Sequence, residues 1–313
     1  MRLNKIVKEL KRGWLRVEGL FQAGRMGVSL SDYVRIAENR RHYGIDADGR
    51  VRLRHLEIDI CKGCNLRCEH CSHLSPYRSG YISATELSEW FDCWNEKIAP
   101  EEVNLLGGEP LLHPELDRVI LESKRIWNRS VLRLVSNGLL FSRVSDKVLD
   151  AIRTTRIHVS LSKHCGGEKS ETLFRNGLKR LDAAKIPYTV RDSYRDWMRQ
   201  HRKNDEGRPI PFDGDAEKAW KVCGSKFCAS LAGNRLYKCS VLACMTEGVR
   251  EGVLDDAWKS VLSYRPLEPS ASANDILEHL RQAAVAECRV CPEAAEIITP
   301  QQIPVELLKR KSA

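Results

Sequence analysis

The stretch CKGCNLRCEHC, residues 61–71, places four thiols within eleven residues. Core packing does not require so dense a group, which instead indicates metal binding. Three of the thiols, on Cys64, Cys68 and Cys71, have the spacing C-x3-C-x2-C. A short loop with this spacing can place thiolates at three corners of an iron–sulfur cubane and leave the fourth iron without a protein ligand. The stretch therefore predicts a metal centre with an open coordination position, which catalysis at a metal requires.

A zinc site is the main alternative for this loop. Zinc would need a fourth protein ligand, and Cys61 or His73 could supply it. A ferredoxin-type run is disfavoured, because its gaps come in a different order and a proline follows the last cysteine. We do not assign Cys61 as a cluster ligand.

The sequence on both sides of the loop alternates between strand and helix patterns. Strands are predicted at 54–60, 102–106, 131–135, 157–161 and 187–191, and helices at 84–98, 116–127, 145–154 and 173–184. Short turns between them favour right-handed βαβ units around a parallel sheet. The predicted fold class is α/β, as an open sheet or a barrel, with a sixth strand that the pattern does not place.

Polar residues and glycines follow these strands where each one ends. Gly107, Gly108, Glu109 and Pro110 end the second strand. The two glycines let the backbone approach a ligand closely, and the Glu109 carboxylate can accept from an ammonium group. Because ligands bind at the carboxyl ends of parallel strands, the site is expected along this edge of the sheet.

The loop and this strand end together resemble the radical S-adenosylmethionine (radical SAM) enzymes. The string Cys64-Asn-Leu-Arg-Cys68-Glu-His-Cys71 is similar to a common form of the family motif. The resemblance implies a partial (β/α)6 TIM-like barrel with a [4Fe-4S] cluster on Cys64, Cys68 and Cys71. The unique iron of that cluster would bind S-adenosylmethionine, which is cleaved to a 5′-deoxyadenosyl radical.

The resemblance also suggests contacts to S-adenosylmethionine. The segment Gly107-Gly108-Glu109-Pro110 matches the one that holds the amino group in the family. Asn137, at the end of the third strand, and Ser160 and Ser162, on the fourth, correspond to polar groups that meet the ribose. His70 takes the place of an aromatic residue beside the adenine, and Arg191 could pair with a carboxylate. No residue is assigned a catalytic role.

A second group of cysteines lies after residue 220: Cys223, Cys228, Cys239, Cys244, Cys288 and Cys291. A β-hairpin is predicted from strands 227–231 and 235–240 around Gly233-Asn234, and a regular hairpin would bring Cys228 and Cys239 face to face. The C-x2-C pair Cys288 and Cys291 follows a helix predicted at 276–286.

This combination resembles the auxiliary-cluster extension of radical SAM enzymes, in its short Twitch form rather than the longer SPASM form. The resemblance implies a second [4Fe-4S] cluster on Cys239, Cys288 and Cys291, with Cys223 or Cys228 as the fourth ligand. A structural zinc site is the alternative. The isolated Cys93, Cys165 and Cys244 are interpreted as ordinary thiols.

The whole chain therefore divides into an N-terminal helical extension (1–50), a radical SAM core (51–215) and a Twitch/SPASM-like auxiliary-cluster domain (216–313). The helix of the extension is expected to dock on the core, with a membrane-surface helix as the alternative. Residues 198–218 are polar, contain glycine and proline, and predict a long loop.

Composition narrows the class of protein. Apolar residues make up 42% and charged residues 30% of the chain, which is typical of globular proteins. No stretch is long enough to span a membrane, and no signal peptide is present, so a cytoplasmic location is expected. In a reducing compartment, twelve cysteines indicate metal or redox chemistry. The net charge of +9 is spread along the chain and does not by itself indicate nucleic-acid binding.

The resemblance implies an oxidoreductase that abstracts hydrogen from a small, sugar-like substrate and passes an electron to the auxiliary cluster. Its partners would be that substrate and an electron donor such as flavodoxin or ferredoxin. A peptide- or protein-modifying maturase is the alternative. A non-catalytic iron–sulfur or zinc protein is a third class, against which the segment at residues 107–110 argues, because an electron carrier needs no ligand pocket.

Overall fold

The structure, a computed structural model, describes residues 42–164, 167–193 and 197–298 of the chain. The chain divides into two compact units, Met1–Gly44 and Ile45–Ala313. The helix predicted in the N-terminal extension lies outside the described residues, and so does Cys165. Apart from Tyr43 and Gly44 of the first strand, the residues described below belong to the second unit.

A mostly parallel sheet forms its centre. The strands, in chain order, are β1 (Tyr43–Ile45), β2 (Val51–Cys61), β3 (Ile98–Gly107), β4 (Val131–Ser136), β5 (His158–Lys163), β6 (Tyr188–Asp192), β7 (Trp197–Met198), β8 (Arg202–Lys203), β9 (Pro209–Ile210), β10 (Cys228–Ala232), β11 (Arg235–Tyr237) and β12 (Ile297–Ile298). The central order is β11-β10-β2-β3-β4-β5-β6, and only the pair β10–β11 is antiparallel. The predicted α/β fold is confirmed, as an open sheet rather than a closed barrel.

Seven α-helices accompany the strands in the described residues. They are α1 (Ala84–Asn95), α2 (Leu116–Ile126), α3 (Asp146–Thr155), α4 (Glu168–Ala183), α5 (Ala216–Val222), α6 (Ser240–Arg250) and α7 (Ala273–Arg281). Short 3-10 helices lie at Pro110–Leu112, Phe141–Arg143, Asp256–Ser263 and Ala286–Val290. Within this part of the chain, no helix combines the length and the apolar character that crossing a bilayer requires.

Helix α1 illustrates how these helices are specified. It begins after Ser83, whose side chain accepts from the backbone N–H of Glu86 and so satisfies one free donor of the first turn. Leu87, Phe91 and Trp94 recur at helical spacing and are fully buried. The helix ends at Asn95 rather than at the predicted 98, because Ile98 already begins β3.

Strand β2 has one apolar and one polar face. Leu56, Ile58 and Ile60 are fully buried, whereas the alternate positions carry Glu57 and Asp59. A parallel strand covered on both faces by apolar layers would be hydrophobic throughout. The alternation therefore marks a polar face on the central strand, and it is this face that borders the candidate site.

The C-terminal segment supplies the sixth parallel strand. Strand β10 pairs with β2, with Cys228 opposite His55. Strands β10 and β11 form the predicted hairpin, and Gly233 and Asn234 both have positive φ (+55° and +56°), as a type I′ turn requires. The antiparallel ladder stops at the pair Ser230–Tyr237, so it does not extend to Cys228 and Cys239.

Two stretches differ from their prediction. The polar region 198–218 is not one long loop, because it contains the paired strands β8 and β9 and the start of α5. Helix α6 was not predicted at all; it packs Val241 and Met245 into an apolar cluster with Trp258 and Val290. Leu74, directly after the cysteine loop, belongs to the same cluster and ties the loop to the C-terminal segment.

Candidate active site

The cysteine loop opens on a cavity of about 260 Å³ at the carboxyl ends of the central strands. Cys64, Cys68 and Cys71 all line it. Cys61 does not: it is buried, and its Sγ lies 3.6 Å from the carbonyl oxygen of Gly63 and 3.7 Å from that of Gly80. The structure thus brings together the three thiols of the C-x3-C-x2-C spacing and separates the fourth.

The thiol of Cys64 is difficult to ionise without a bound cation. Burial, and then the charges of Glu109, Cys68 and Cys71, raise the pKa of Cys64 well above its usual value. The backbone N–H of Leu66 lies 3.4 Å from its Sγ and can donate to it. A positive centre is what would allow these neighbouring thiols to be thiolates together, so the donor set fits a metal cluster.

The two glycines at the end of β3 serve the packing of the backbone. A Cβ on Gly107 would lie 2.2 Å from the carbonyl oxygen of Cys61, and one on Gly108 would lie 2.0 Å from that of Gly63. The N–H of Gly108 donates to Cys61 O at 2.6 Å, and that of Glu109 donates to Gly63 O at 2.9 Å. The expectation was close approach to a ligand, but the close approach seen here is to the cysteine loop itself.

Glu109 lies beneath the cavity rather than in its wall. It is fully buried, and its carboxylate accepts from Ser136 Oγ (2.7 Å), the N–H of Asn137 (2.8 Å) and the N–H of Leu111 (3.0 Å). Burial raises the pKa of Glu109 to about 7, against the lowering effect of these hydrogen bonds. Through these contacts, Glu109 fixes the end of β4. The next residue, Pro110, begins the short 3-10 helix Pro110–Leu112.

Asn137 is the polar residue that this arrangement orients. It lines the cavity, and its Nδ2 donates to Asn65 Oδ1 at 2.8 Å and lies 3.7 Å from Cys64 Sγ. Of the two serines named on β5, Ser162 lines the cavity and Ser160 does not. Arg191 lies on β6 opposite Ser162 in the strand register and is exposed, outside the cavity wall.

His70 is buried against another part of the chain. It is only 6% exposed, has a positive φ of 54°, and packs its ring on that of His201 at 4.9 Å between centroids. Burial lowers the pKa of His70, so the neutral ring is favoured. It is not among the cavity-lining residues, where its predicted place beside an adenine would put it.

Three residues form one cluster beside the loop: His73, named above as a possible zinc ligand; Cys244, interpreted above as an ordinary thiol; and Asp59, which the sequence did not single out. His73 Nδ1 lies 3.0 Å from Asp59 Oδ2, and Cys244 Sγ lies 3.3 Å from the same oxygen. Burial lowers the pKa of His73, but the Asp59 carboxylate and the Cys244 thiol outweigh it and raise that pKa well above its usual value. The raised pKa favours a protonated His73 that pairs with Asp59.

Glu57 was missed as well. It lies two residues before Asp59 on the polar face of β2 and lines the cavity together with His164. Burial raises the pKa of Glu57, and the nearby charge of His73 partly opposes this shift. The signal that could have identified it is the alternation of acidic with apolar residues along β2.

The second cysteine group gathers four of its candidates. Burial, and then the charges of Cys223, Cys291 and Cys288, raise the pKa of Cys239 well above its usual value. Burial and the charges of Cys223 and Cys288 likewise raise the pKa of Cys291. The Sγ of Cys239 also lies 3.5 Å from the N–H of Leu242 at the start of α6.

Cys228 has different surroundings. After burial, the strongest influence on it is Glu57, and together they raise the pKa of Cys228 to about 12. Cys223, at the end of α5, is the thiol whose charge acts on both Cys239 and Cys291. The hairpin symmetry that favoured Cys228 fails because the chain leaves the ladder after Tyr237 and turns into α6.

Comparison with known proteins identifies the domain that carries the first site. Residues 58–186 match the family model of the radical SAM superfamily. This region is a radical SAM domain. The match includes the cysteine loop, the end of β3 and strands β4 and β5, and the family implies a [4Fe-4S] cluster and bound S-adenosylmethionine.

Relatives are found among GTP 3',8-cyclases. The one from Clostridium acetobutylicum is 29% identical over 122 residues, 37% of this chain and 37% of the relative. The one from Synechocystis sp. is 31% identical over 142 residues, 44% of this chain and 42% of the relative. The chain thus matches well under half the length of these curated relatives.

Similar solved structures include BtrN in complex with AdoMet and 2-DOIA, at 17% identity and a TM-score of 0.42, covering 66% of this chain and 84% of that one. Another is anSMEcpe with bound AdoMet, at 16% identity and a TM-score of 0.35, covering 44% and 43%.

The radical SAM domain of this chain fits the cluster that its family implies. Three thiols surround one cavity. Of the two alternative fourth ligands, Cys61 faces two carbonyl groups instead, whereas His73 lines the same cavity and pairs through Nδ1 with Asp59. Three ligands and an open position are what S-adenosylmethionine binding to a cubane requires.

Proposed function

We propose that the chain is a radical SAM oxidoreductase that oxidises a small, polar molecule with the help of a second [4Fe-4S] cluster. The observation that carries the proposal is the contrast between two thiol groups. Cys64, Cys68 and Cys71 open on a cavity, whereas the second group gathers four thiols away from that cavity. A three-thiol group suits cofactor activation, and a four-thiol group suits electron transfer.

In this proposal the first cluster holds S-adenosylmethionine, a source of the 5′-deoxyadenosyl radical, and the second accepts one electron. We assign the second cluster to Cys223, Cys239, Cys288 and Cys291, within the segment 216–313. The donor set of four half-buried thiols, near enough to shift one another's pKa, fits either iron–sulfur or zinc, and metal analysis separates them. An electron donor of the flavodoxin or ferredoxin type would reduce the first cluster.

The chain's own residues would bind and orient the reactants. Glu109 holds Ser136 and Asn137 at the end of β4, and these two residues form part of the cavity wall. Ser162 and His164 add hydrogen-bonding groups on the β5 side. A few polar groups placed in this wall suit a substrate with hydroxyl or amino groups.

Glu57 is the candidate proton acceptor. Oxidation of a carbon that bears a hydroxyl group removes a hydrogen atom, a proton and an electron in total. The Glu57 carboxylate lines the cavity, and burial raises its pKa from the usual value, which makes it a stronger proton acceptor than an ordinary carboxylate. It also lies near Cys228 in β10, on the side of the sheet that leads to the second thiol group.

The test begins with anaerobic reconstitution with iron and sulfide. The protein should hold about eight irons, about four for each cluster, and should release 5′-deoxyadenosine from S-adenosylmethionine when reduced. Cys64→Ala should abolish that release. Cys93→Ala, at an exposed thiol on α1, is the matched control and should retain it. Release that persists in Cys64→Ala, or a chain that holds zinc and no iron, would contradict the proposal.

A guanine nucleotide is the second candidate substrate, because the matching relatives are named GTP 3',8-cyclases. The basic surplus of the chain also suits a phosphorylated molecule. Substrate-dependent release of 5′-deoxyadenosine, measured with GTP and separately with amino-sugar alcohols, distinguishes the two. Stimulation by GTP alone would replace the oxidoreductase assignment.

A further inference from the structure

Lys238 is a buried cation beside the second thiol group. It lies between β11 and Cys239 and is only 3% exposed. Its Nζ donates to the carbonyl oxygens of Gln282 and Ala283. Its backbone N–H donates to the Tyr264 hydroxyl at 2.9 Å, and that hydroxyl lies 2.8 Å from His279 Nε2. The side chain is thus held in place by several contacts.

These contacts supply dipoles but no negative charge. In the part of the chain that the structure describes, no carboxylate forms an ion pair with Lys238. Burial lowers the pKa of Lys238 to about 8, and the thiols of Cys288, Cys223 and Cys239, the next residue in the chain, oppose this shift. Arg78, another buried cation, instead pairs with the Glu251 carboxylate at 2.8 Å. Because an unpaired buried charge is costly, the thiol group is the natural source of the opposing charge.

We propose that Lys238 is the counter-charge of the second cluster and raises its reduction potential. The inference rests on the proposed function, since it requires a cluster on these thiols. Reduction adds an electron to a group that four thiolates already make negative. A fixed cation in a dry site therefore stabilises the reduced state more than the oxidised state. Lys238 acts through the cluster and does not touch the substrate.

The experiment measures the midpoint potential of the second cluster alone. In a full-length Cys64→Ala/Cys68→Ala/Cys71→Ala background, reconstituted anaerobically, a redox titration followed by electron paramagnetic resonance reports that couple. Lys238→Gln removes the charge and keeps N–H donors for the two carbonyl groups, whereas Lys238→Arg keeps the charge. Lys259→Gln, at an exposed lysine that pairs with Asp256, is the matched control.

We expect Lys238→Gln to reduce the equilibrium constant for reduction about tenfold, which is a potential about 59 mV lower for a one-electron couple. Lys238→Arg and Lys259→Gln should match the parent. A parent background that binds no iron would overturn the proposed second cluster and this inference with it. If the parent background holds a cluster and Lys238→Gln has the same midpoint potential, only the role of Lys238 is overturned. Loss of iron in Lys238→Gln, with full iron in Lys238→Arg, would show that the charge assembles the cluster rather than sets its potential, and would also overturn the inference.

Discussion

Single residues in this site are explained by what they contact, and Glu109 shows this most clearly. Its sequence position suggested direct contact with a ligand ammonium group, but its carboxylate is fully buried and accepts from three donors of the chain. The sequence could predict that a carboxylate stands at the end of β3. It could not predict that the neighbouring strand would occupy that carboxylate, because this depends on the register of β3 and β4.

Glu109 should make stability depend on pH. Its pKa is raised from 4.5 to about 7, so the folded state binds the proton more tightly than the unfolded state does. The resulting stability is fully present below pH 4.5 and is lost as the pH rises through about 7. For the apoprotein, we expect a loss of about 3 kcal/mol in the free energy of unfolding over that range. Glu109→Gln should remove this dependence of the unfolding free energy on pH. Unfolding free energies, measured by urea denaturation, that change equally with pH in both proteins would refute the prediction.

At the scale of elements, the site depends on how closely the cysteine loop and the end of β3 approach each other. The strand and helix patterns predicted most elements to within a few residues, because those patterns are local. Helix α6 was missed because its sequence, SVLACMTEGVR, has no charged residue in its first seven positions to mark an exposed face. All seven of these residues are buried.

Gly108→Ala should push the cysteine loop away from the end of β3. The added methyl group would lie 2.0 Å from the carbonyl oxygen of Gly63. We expect a loss of about 3 kcal/mol or more in stability and less iron bound on reconstitution. Gly63→Ala is the matched control in the same loop, since its Cβ would meet nothing closer than 3.7 Å. Equal thermal stability and iron content in the two variants would contradict this account.

At the scale of the whole molecule, the predicted core (51–215) and the predicted auxiliary-cluster segment (216–313) contribute strands to one sheet. Strand β10, from the C-terminal segment, pairs with β2, which carries the cysteine loop at its end. The sequence predicted a hairpin there, but not its partner, because pairing between strands so far apart in the chain leaves no local pattern. The same long-range packing favours Cys223 over Cys228 as the fourth ligand of the proposed second cluster, a choice that the sequence left open.

A chain truncated after residue 215 should therefore fold poorly. Without β10, the long strand β2 would have an unpaired edge, and Leu74 would lose the apolar cluster that it joins with Met245 and Trp258. We expect aggregation or loss of cooperative thermal unfolding. A soluble truncated protein that unfolds cooperatively and still binds about four irons would show that the core is independent.

The central claim is an open position on the cluster held by Cys64, Cys68 and Cys71. It is tested most directly in a Cys223→Ala/Cys239→Ala variant, reconstituted anaerobically so that only the first cluster remains. The electron paramagnetic resonance spectrum of the reduced cluster should change when S-adenosylmethionine is added, because the cofactor binds the iron that lacks a protein ligand. An iron-loaded protein whose spectrum is the same with and without S-adenosylmethionine would contradict the account.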